Sequence, residues 1–128
     1  ENNGLQERVK FLGLVSQERL FELMRQAQLF VFPSTLEACP HTPIEAMSCG
    51  APIAASSTPP MPEICADAAL YFDPHDPEDI ARAVERVAGD ESVRSNLRSA
   101  GPARAGFFTW GKTASGMIKI FQRVHTQE

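Results

Sequence analysis

Residues 33–56 read PSTLEACPHTPIEAMSCGAPIAAS, and the order of elements in this stretch decides the fold. An apolar run, Leu29-Phe30-Val31-Phe32, leads into it and is stopped by Pro33. Two glutamates follow, Glu37 and Glu45, with seven residues between them. Thr42-Pro43-Ile44-Glu45 has the form of a helix start, with Thr at the cap, Pro at the first helical position and Glu three after the cap. Gly50 supplies the left-handed residue that closes such a helix, and residues 51–55 resume an extended run. The stretch is therefore strand, loop, helix, glycine, strand. A helix N-terminus fed by the carboxyl end of a parallel strand presents free N–H groups and a positive dipole end. In open α/β sheets, ligands bind at that location. Capping by itself chooses no ligand: Glu45 also reads as a capping carboxylate and Glu37 as an exposed loop acid.

The flanks repeat the alternation. Arg8-Val9-Lys10-Phe11-Leu12-Gly13 reads as a short strand, and Ser16 caps a helix to about residue 28, with Leu20, Leu23, Met24 and Ala27 on one face. Beyond the central stretch, residues 56–62 carry three prolines in four positions and exclude regular structure, with one helical turn expected over 62–65. Leu70-Tyr71-Phe72 is a fourth strand. Asp76-Pro77 opens a helix with Ile80, Val84 and Val87 inward, His75 and Asp76 serving the turn before it. A further helix over about 91–104 turns Val93, Leu97 and Ala100 inward, and the charged residues of 78–104 read as solvated faces. Thr109 caps a last helix with Ala114, Met117, Ile118, Phe121 and Val124 in one stripe, and Trp110 reads as a packing residue of it. Strands alternating with helices predict an α/β domain: a Rossmann-like parallel sheet with flanking helices. Four strands make about two-thirds of a doubly wound sheet. That deficit and the abrupt start suggest a single, truncated domain over residues 1–128, with the missing units upstream.

Composition narrows the partners. The chain has 128 residues, 43% apolar and 22% charged, which suits one globular core. A net charge of −4 argues against nucleic acid held on a basic face. No apolar run reaches membrane-spanning length, and no signal peptide is visible. Cys39, Cys49 and Cys65 form no Cys-x-x-Cys pair and have no histidine at ligand spacing, so neither zinc nor a disulfide framework is expected. Reduced thiols point to a cytoplasmic setting. Cys39 as a nucleophile lacks a base and an orienting group beside it.

These motifs together resemble the C-terminal, donor-binding half of the GT-B glycosyltransferases, in the large retaining group called family 4. The resemblance runs nearly end to end: residues 8–13, then Phe32-Pro33-Ser34, the Glu37-x7-Glu45 pair, Glu45-Ala46-Met47-Ser48-Cys49-Gly50-Ala51-Pro52-Ile53, Pro62-Glu63-Ile64, and Phe108-Thr109-Trp110. It implies an incomplete half of a GT-B fold. It further implies transfer of a hexose from a UDP-, GDP- or ADP-sugar to an acceptor, with retention, in polysaccharide, lipopolysaccharide or glycolipid synthesis. Glu37 resembles the catalytic-site glutamate that contacts the donor sugar, and Glu45 the one that accepts hydrogen bonds from the nucleotide ribose. Loop residues Ala38, Cys39, His41 and Thr42 resemble those approaching the sugar and diphosphate, and Leu14 and Val15 those bracketing the nucleobase. No metal and no cofactor beyond the donor are implied. The partner would be an N-terminal acceptor-binding domain of the same longer chain, through which any membrane contact would run. The isolated piece is then expected to be inactive.

The loop departs from the commonest family pattern. It reads Ala38-Cys39-Pro40-His41, and Pro40 has no N–H to offer a ligand. Other readings stay open at this point: a sugar-nucleotide epimerase or phosphorylase on the same plan, a non-catalytic binding or scaffold domain, and a flavodoxin-like signalling domain. The first is expected to lack the Glu-x7-Glu loop. The last is disfavoured because no phosphoacceptor aspartate pocket is apparent.

Overall fold

The computed structural model describes residues 4–125. Three parallel strands lie in consecutive order, β1 (Phe30–Phe32), β2 (Ile53–Ser56) and β3 (Ala69–Phe72). Phe32 pairs with Ala55, and Ser56 with Phe72. The helices are α1 (Gln17–Gln26), α2 (His41–Ser48), α3 (Met61–Cys65), α4 (Pro77–Gly89), α5 (Glu91–Ala105) and α6 (Trp110–His125), with one 3₁₀ turn at Ala66–Ala68.

The central strand explains the layering. All four residues of β2 are buried, and three are Ile53, Ala54 and Ala55, so helices cover both faces closely. Ile53 and Ala55 face a core that includes Met24 of α1, Met47 of α2, Ile64 and Cys65 of α3, and Ala105 of α5. Ala54 faces the other way, into a smaller core with Phe72 and Ala83 of α4. The result is a helix–sheet–helix sandwich, as the alternation of elements predicts.

Caps fix the helix starts. The Ser16 hydroxyl accepts from the Arg19 N–H at 3.3 Å, and Asp76 Oδ1 accepts from Glu78 N–H at 2.9 Å. His75 serves the same turn, its N–H donating to Asp73 Oδ1 at 2.9 Å. Asp90 Oδ1 accepts from Ser92 and Val93 N–H, and Thr109 Oγ1 from Lys112 N–H. Gly50 follows α2 with φ of 70°, the left-handed closure expected of it. At Gly101 in α5 a Cβ would lie 3.0 Å from the Met47 carbonyl oxygen, so α5 and α2 approach backbone to backbone.

Four expectations are corrected. Residues 8–13 form no strand; their backbone bonds run back from Arg8 and Val9 N–H to the Leu5 carbonyl, and Phe11 is 94% exposed. A strand needs a ladder. Among the described residues no strand pairs with this run. The Thr42 cap is also wrong: α2 begins at His41, Pro40 is the N-cap, and no side chain caps the helix. The apolar stripe of α6 is exposed along its length, and Trp110 is 81% exposed rather than packed. Finally, Arg94, Arg98 and Arg104 are not merely solvated. Arg94 donates to the Val87 carbonyl at 3.0 Å. Arg98 donates to the carbonyls of Ala27 at 2.8 Å and Gly50 at 3.3 Å. Arg104 donates to Ile64 O at 2.8 Å and to Glu63 O, and its guanidinium lies over the rings of Phe107 and Phe108 at 5.3 and 5.1 Å.

Candidate functional site

The carboxyl ends of all three strands lie at one edge of the sheet, the location where open α/β sheets bind ligands. The loop of residues 33–40 leaves β1 there and carries Glu37. Glu37 is half-buried, and its carboxylate has no hydrogen bond or ion pair with any described residue. The helix after the loop carries Glu45, also half-buried and also unpartnered among the described residues. Because α2 starts at His41, Glu45 falls at the fifth helical position, and no acid occupies the first turn. Glu45 therefore does not cap its own helix, and both carboxylates are open to accept hydrogen bonds from something else.

The tip of α2 is unusual in its donors. The first four N–H positions of a helix have no intrahelical partner. Here the cap and the third helical position are Pro40 and Pro43, which have no N–H. Only His41 and Thr42 contribute free backbone donors at the tip. His41 is exposed and Thr42 half-buried, while Ala38 and Cys39 are exposed in the loop before them.

A groove of about 380 Å³ lies beside α2. Ile44, Glu45 and Ser48 form one wall, and Pro102, Ala105, Phe108 and Thr109 form the other. The Ser48 hydroxyl donates to the Glu45 carbonyl at 2.7 Å. Among the expected site residues the groove takes in Glu45. Glu37, Ala38, Cys39, His41, Thr42, Leu14 and Val15 lie outside its lining. Leu14 is fully exposed and Val15 half-buried, in a segment without regular structure. The structure thus brings Glu45 to the groove, leaves Glu37 in the adjoining loop, and leaves Leu14 and Val15 outside the groove.

Three residues near the site were not singled out from the sequence. Phe108 and Thr109 were read as part of a motif and a cap, not as a wall facing Glu45. Ser56 is the buried polar residue of the core, and its hydroxyl donates to the Ser34 carbonyl at 2.7 Å. A polar residue ending an otherwise apolar buried strand is a signal for such a bond.

The thiols are free: Cys39 is exposed, Cys49 half-buried and Cys65 buried. Burial pushes the Cys65 thiol up to about 11, and burial also raises the Tyr71 hydroxyl well above its ordinary range. Tyr71 Oη donates to the Ala66 carbonyl at 2.6 Å. Among the described residues no cluster of His, Cys, Asp and Glu has the arrangement of a metal site. No helix there is long and apolar enough to cross a membrane.

Comparison with known proteins identifies the group. Residues 1–104 match the family described as glycosyl transferases group 1. The chain is 34% identical over 125 residues to the serotype-specific mannosyltransferase WbdA of Escherichia coli, covering 97% of this chain and 15% of that protein. It is 33% identical over 114 residues to the O-antigen chain mannosyltransferase B of Escherichia coli, covering 89% of this chain and 30% of that one. It is 30% identical over 127 residues to a D-inositol 3-phosphate glycosyltransferase of Corynebacterium jeikeium (strain K411), covering 97% and 30% respectively. The fold superimposes on sucrose-phosphate synthase from Thermosynechococcus elongatus with a TM-score of 0.84 and 28% identity, over 98% of this chain and 32% of that one. The chain thus spans between 15% and 30% of the length of these curated relatives. Its parallel sheet with flanking helices is the Rossmann-like half of a GT-B fold, and the chain belongs to the group 1 glycosyl transferases.

Proposed function

We propose that this domain holds the donor in a retaining, family 4-type glycosyl transfer, and that the donor is a nucleoside diphosphate hexose. One observation carries the reading. Two half-buried carboxylates, both without a partner among the described residues, flank a loop and an uncapped helix tip at the carboxyl edge of a parallel sheet. Glu45 accepts the two hydroxyl donors of the ribose diol, which one carboxylate can satisfy together. Glu37 accepts from the hydroxyls of the donor hexose and stabilises positive charge developing at its anomeric carbon. Ala38 and Cys39 line the approach of the hexose. The N–H groups of His41 and Thr42 point the positive end of α2 at the diphosphate. The His41 ring is a second contact available to that group. Leu14 and Val15 bracket the nucleobase.

The reaction breaks the bond between the anomeric carbon and the phosphate oxygen. The electron pair goes to the leaving diphosphate, and the acceptor oxygen forms the new bond as its proton is released. Negative charge grows on the diphosphate as that bond breaks, and a helix tip with preset donors stabilises it without a metal. The acceptor and the base that takes its proton belong to an N-terminal domain of a longer chain. Residues 1–128 alone are then unable to catalyse transfer. The names of the mannosyltransferase relatives, one serotype-specific and one for the O-antigen chain, support a role in surface-polysaccharide synthesis, and a cytoplasmic setting is part of the same proposal.

The test is calorimetry on the full-length protein with UDP, GDP and ADP and with their hexose esters. One nucleoside diphosphate binds, Glu45→Gln weakens it about tenfold or more, and Glu37→Gln removes the gain contributed by the hexose. Binding of none of the three overturns the reading in favour of a scaffold. Measurable transfer by residues 1–128 alone overturns the assignment of essential groups to another domain.

A further inference from the structure

We infer that Ser56 is a positioning residue for Glu37, acting through Ser34. The inference rests on the reading of Glu37 as the carboxylate that meets the donor hexose. Ser56 ends β2, is 0% exposed, and is the buried polar side chain among the described core residues. Its hydroxyl donates to the Ser34 carbonyl at 2.7 Å, across 22 positions of sequence. The paired register of β1 and β2 stops at Phe32 and Ala55. The serine hydroxyl thus extends the connection between the two strands past the last pair, to the loop that follows β1. Ser34 carries it one step further, for its own hydroxyl donates to the Leu36 carbonyl at 3.3 Å. That carbonyl belongs to the peptide leading into Glu37.

Among the described residues, no turn or loop bond between backbone groups joins residues 33–39 to the rest of the domain. The rest of β2 reads Ile-Ala-Ala, so alanine at position 56 would satisfy packing on that strand. A buried hydroxyl is costly unless it is bonded. What Ser56 adds is therefore its bond to the Ser34 carbonyl. The sheet, through its central strand, presets the loop on which Glu37 waits, and the ordering of that loop is not left to the donor.

The experiment compares a nucleoside diphosphate with its hexose ester on the full-length protein by calorimetry, using the UDP, GDP and ADP series. The quantity read is the ratio of the two dissociation constants. In Ser56→Ala the affinity for the diphosphate alone stays within about twofold, while the hexose gain falls about tenfold, approaching that of Glu37→Gln. A general loosening of the domain would weaken both ligands together and leave the ratio unchanged. If Ser56→Ala does not fold, Ser34→Ala decides the matter. It breaks the second link, which lies at the surface, and lowers the same ratio. A hexose gain that Glu37→Gln abolishes and the serine variants leave intact refutes the role of Ser56, with the donor reading still standing. Absence of any nucleotide binding in the unsubstituted protein refutes the donor reading itself.

Discussion

Replacing Gly101 by alanine tests whether the contact between α2 and α5 is as close as its geometry states. An added Cβ would sit 3.0 Å from the Met47 carbonyl oxygen and 3.3 Å from the Met47 Cα. Both are backbone atoms of a helix whose Met47 side chain is wholly buried, so neither can swing aside. The helices must separate by a few tenths of an ångström instead. Helix propensity works the other way, since alanine is favoured over glycine by about 1 kcal/mol inside a helix. Overpacking of a tight core costs about 1–3 kcal/mol. The net is a loss of roughly 0–2 kcal/mol for Gly101→Ala. Gly101→Val adds two methyl groups to the same contact and loses about 3 kcal/mol or more. Urea unfolding monitored by circular dichroism reads both. Gly116 of α6 is the internal control, because nothing lies within 4 Å of a Cβ there. Gly116→Ala should slow amide exchange along α6, reflecting a gain of about 1 kcal/mol in helix stability. If Gly101→Ala stabilised the protein by that same amount, the steric argument would be refuted.

Two further outcomes concern pH. The folded Cys65 thiol titrates near 11 against an ordinary 9.0, so its contribution is complete below pH 9 and disappears as the pH rises towards 11. Cys65→Ala should make the alkaline limb of urea melts shallower, and an unchanged limb would exclude Cys65 as a source of it. At the acid end, the Asp73 N–H, at 2.7 Å, and then Arg82 hold the Asp79 carboxyl below its usual range. Its contribution is present above the ordinary carboxylate range and lost as the pH falls through the lowered value, so Asp79→Asn should show a shallower loss of melting temperature on acidification. An equal slope in both proteins would refute this.

The alternation of elements was legible because each boundary had a local chemical cause. Gly50 could close a helix, and Asp76-Pro77 could open one. The failures share a different character. Thr42 looked like a cap, but Pro40 has φ of −73°, already suited to the entry of a helix, and α2 begins two residues sooner. Residues 8–13 have strand composition, yet pairing is a property of neighbours and not of the run itself. Periodicity showed that α6 has an apolar face without saying what lies against it. Arg98 and Arg104 reach carbonyls 71 and 40 positions away, a distance no window of sequence registers. At the candidate site, the glutamates announced themselves by spacing within a motif. Ser56 did not, because its partner is a backbone carbonyl and leaves no mark on residue type.

The two bonds of Arg98 bear on how the domain comes apart. One guanidinium ties off the carbonyl ends of α1 and α2 from a third helix, at Ala27 and Gly50. Fraying at either end is therefore not a private event, since release of one carbonyl costs the side chain part of its grip on the other. Hydrogen exchange should see α1, α2 and α5 melt together as a single foldon, whose opening would also unmoor Glu45.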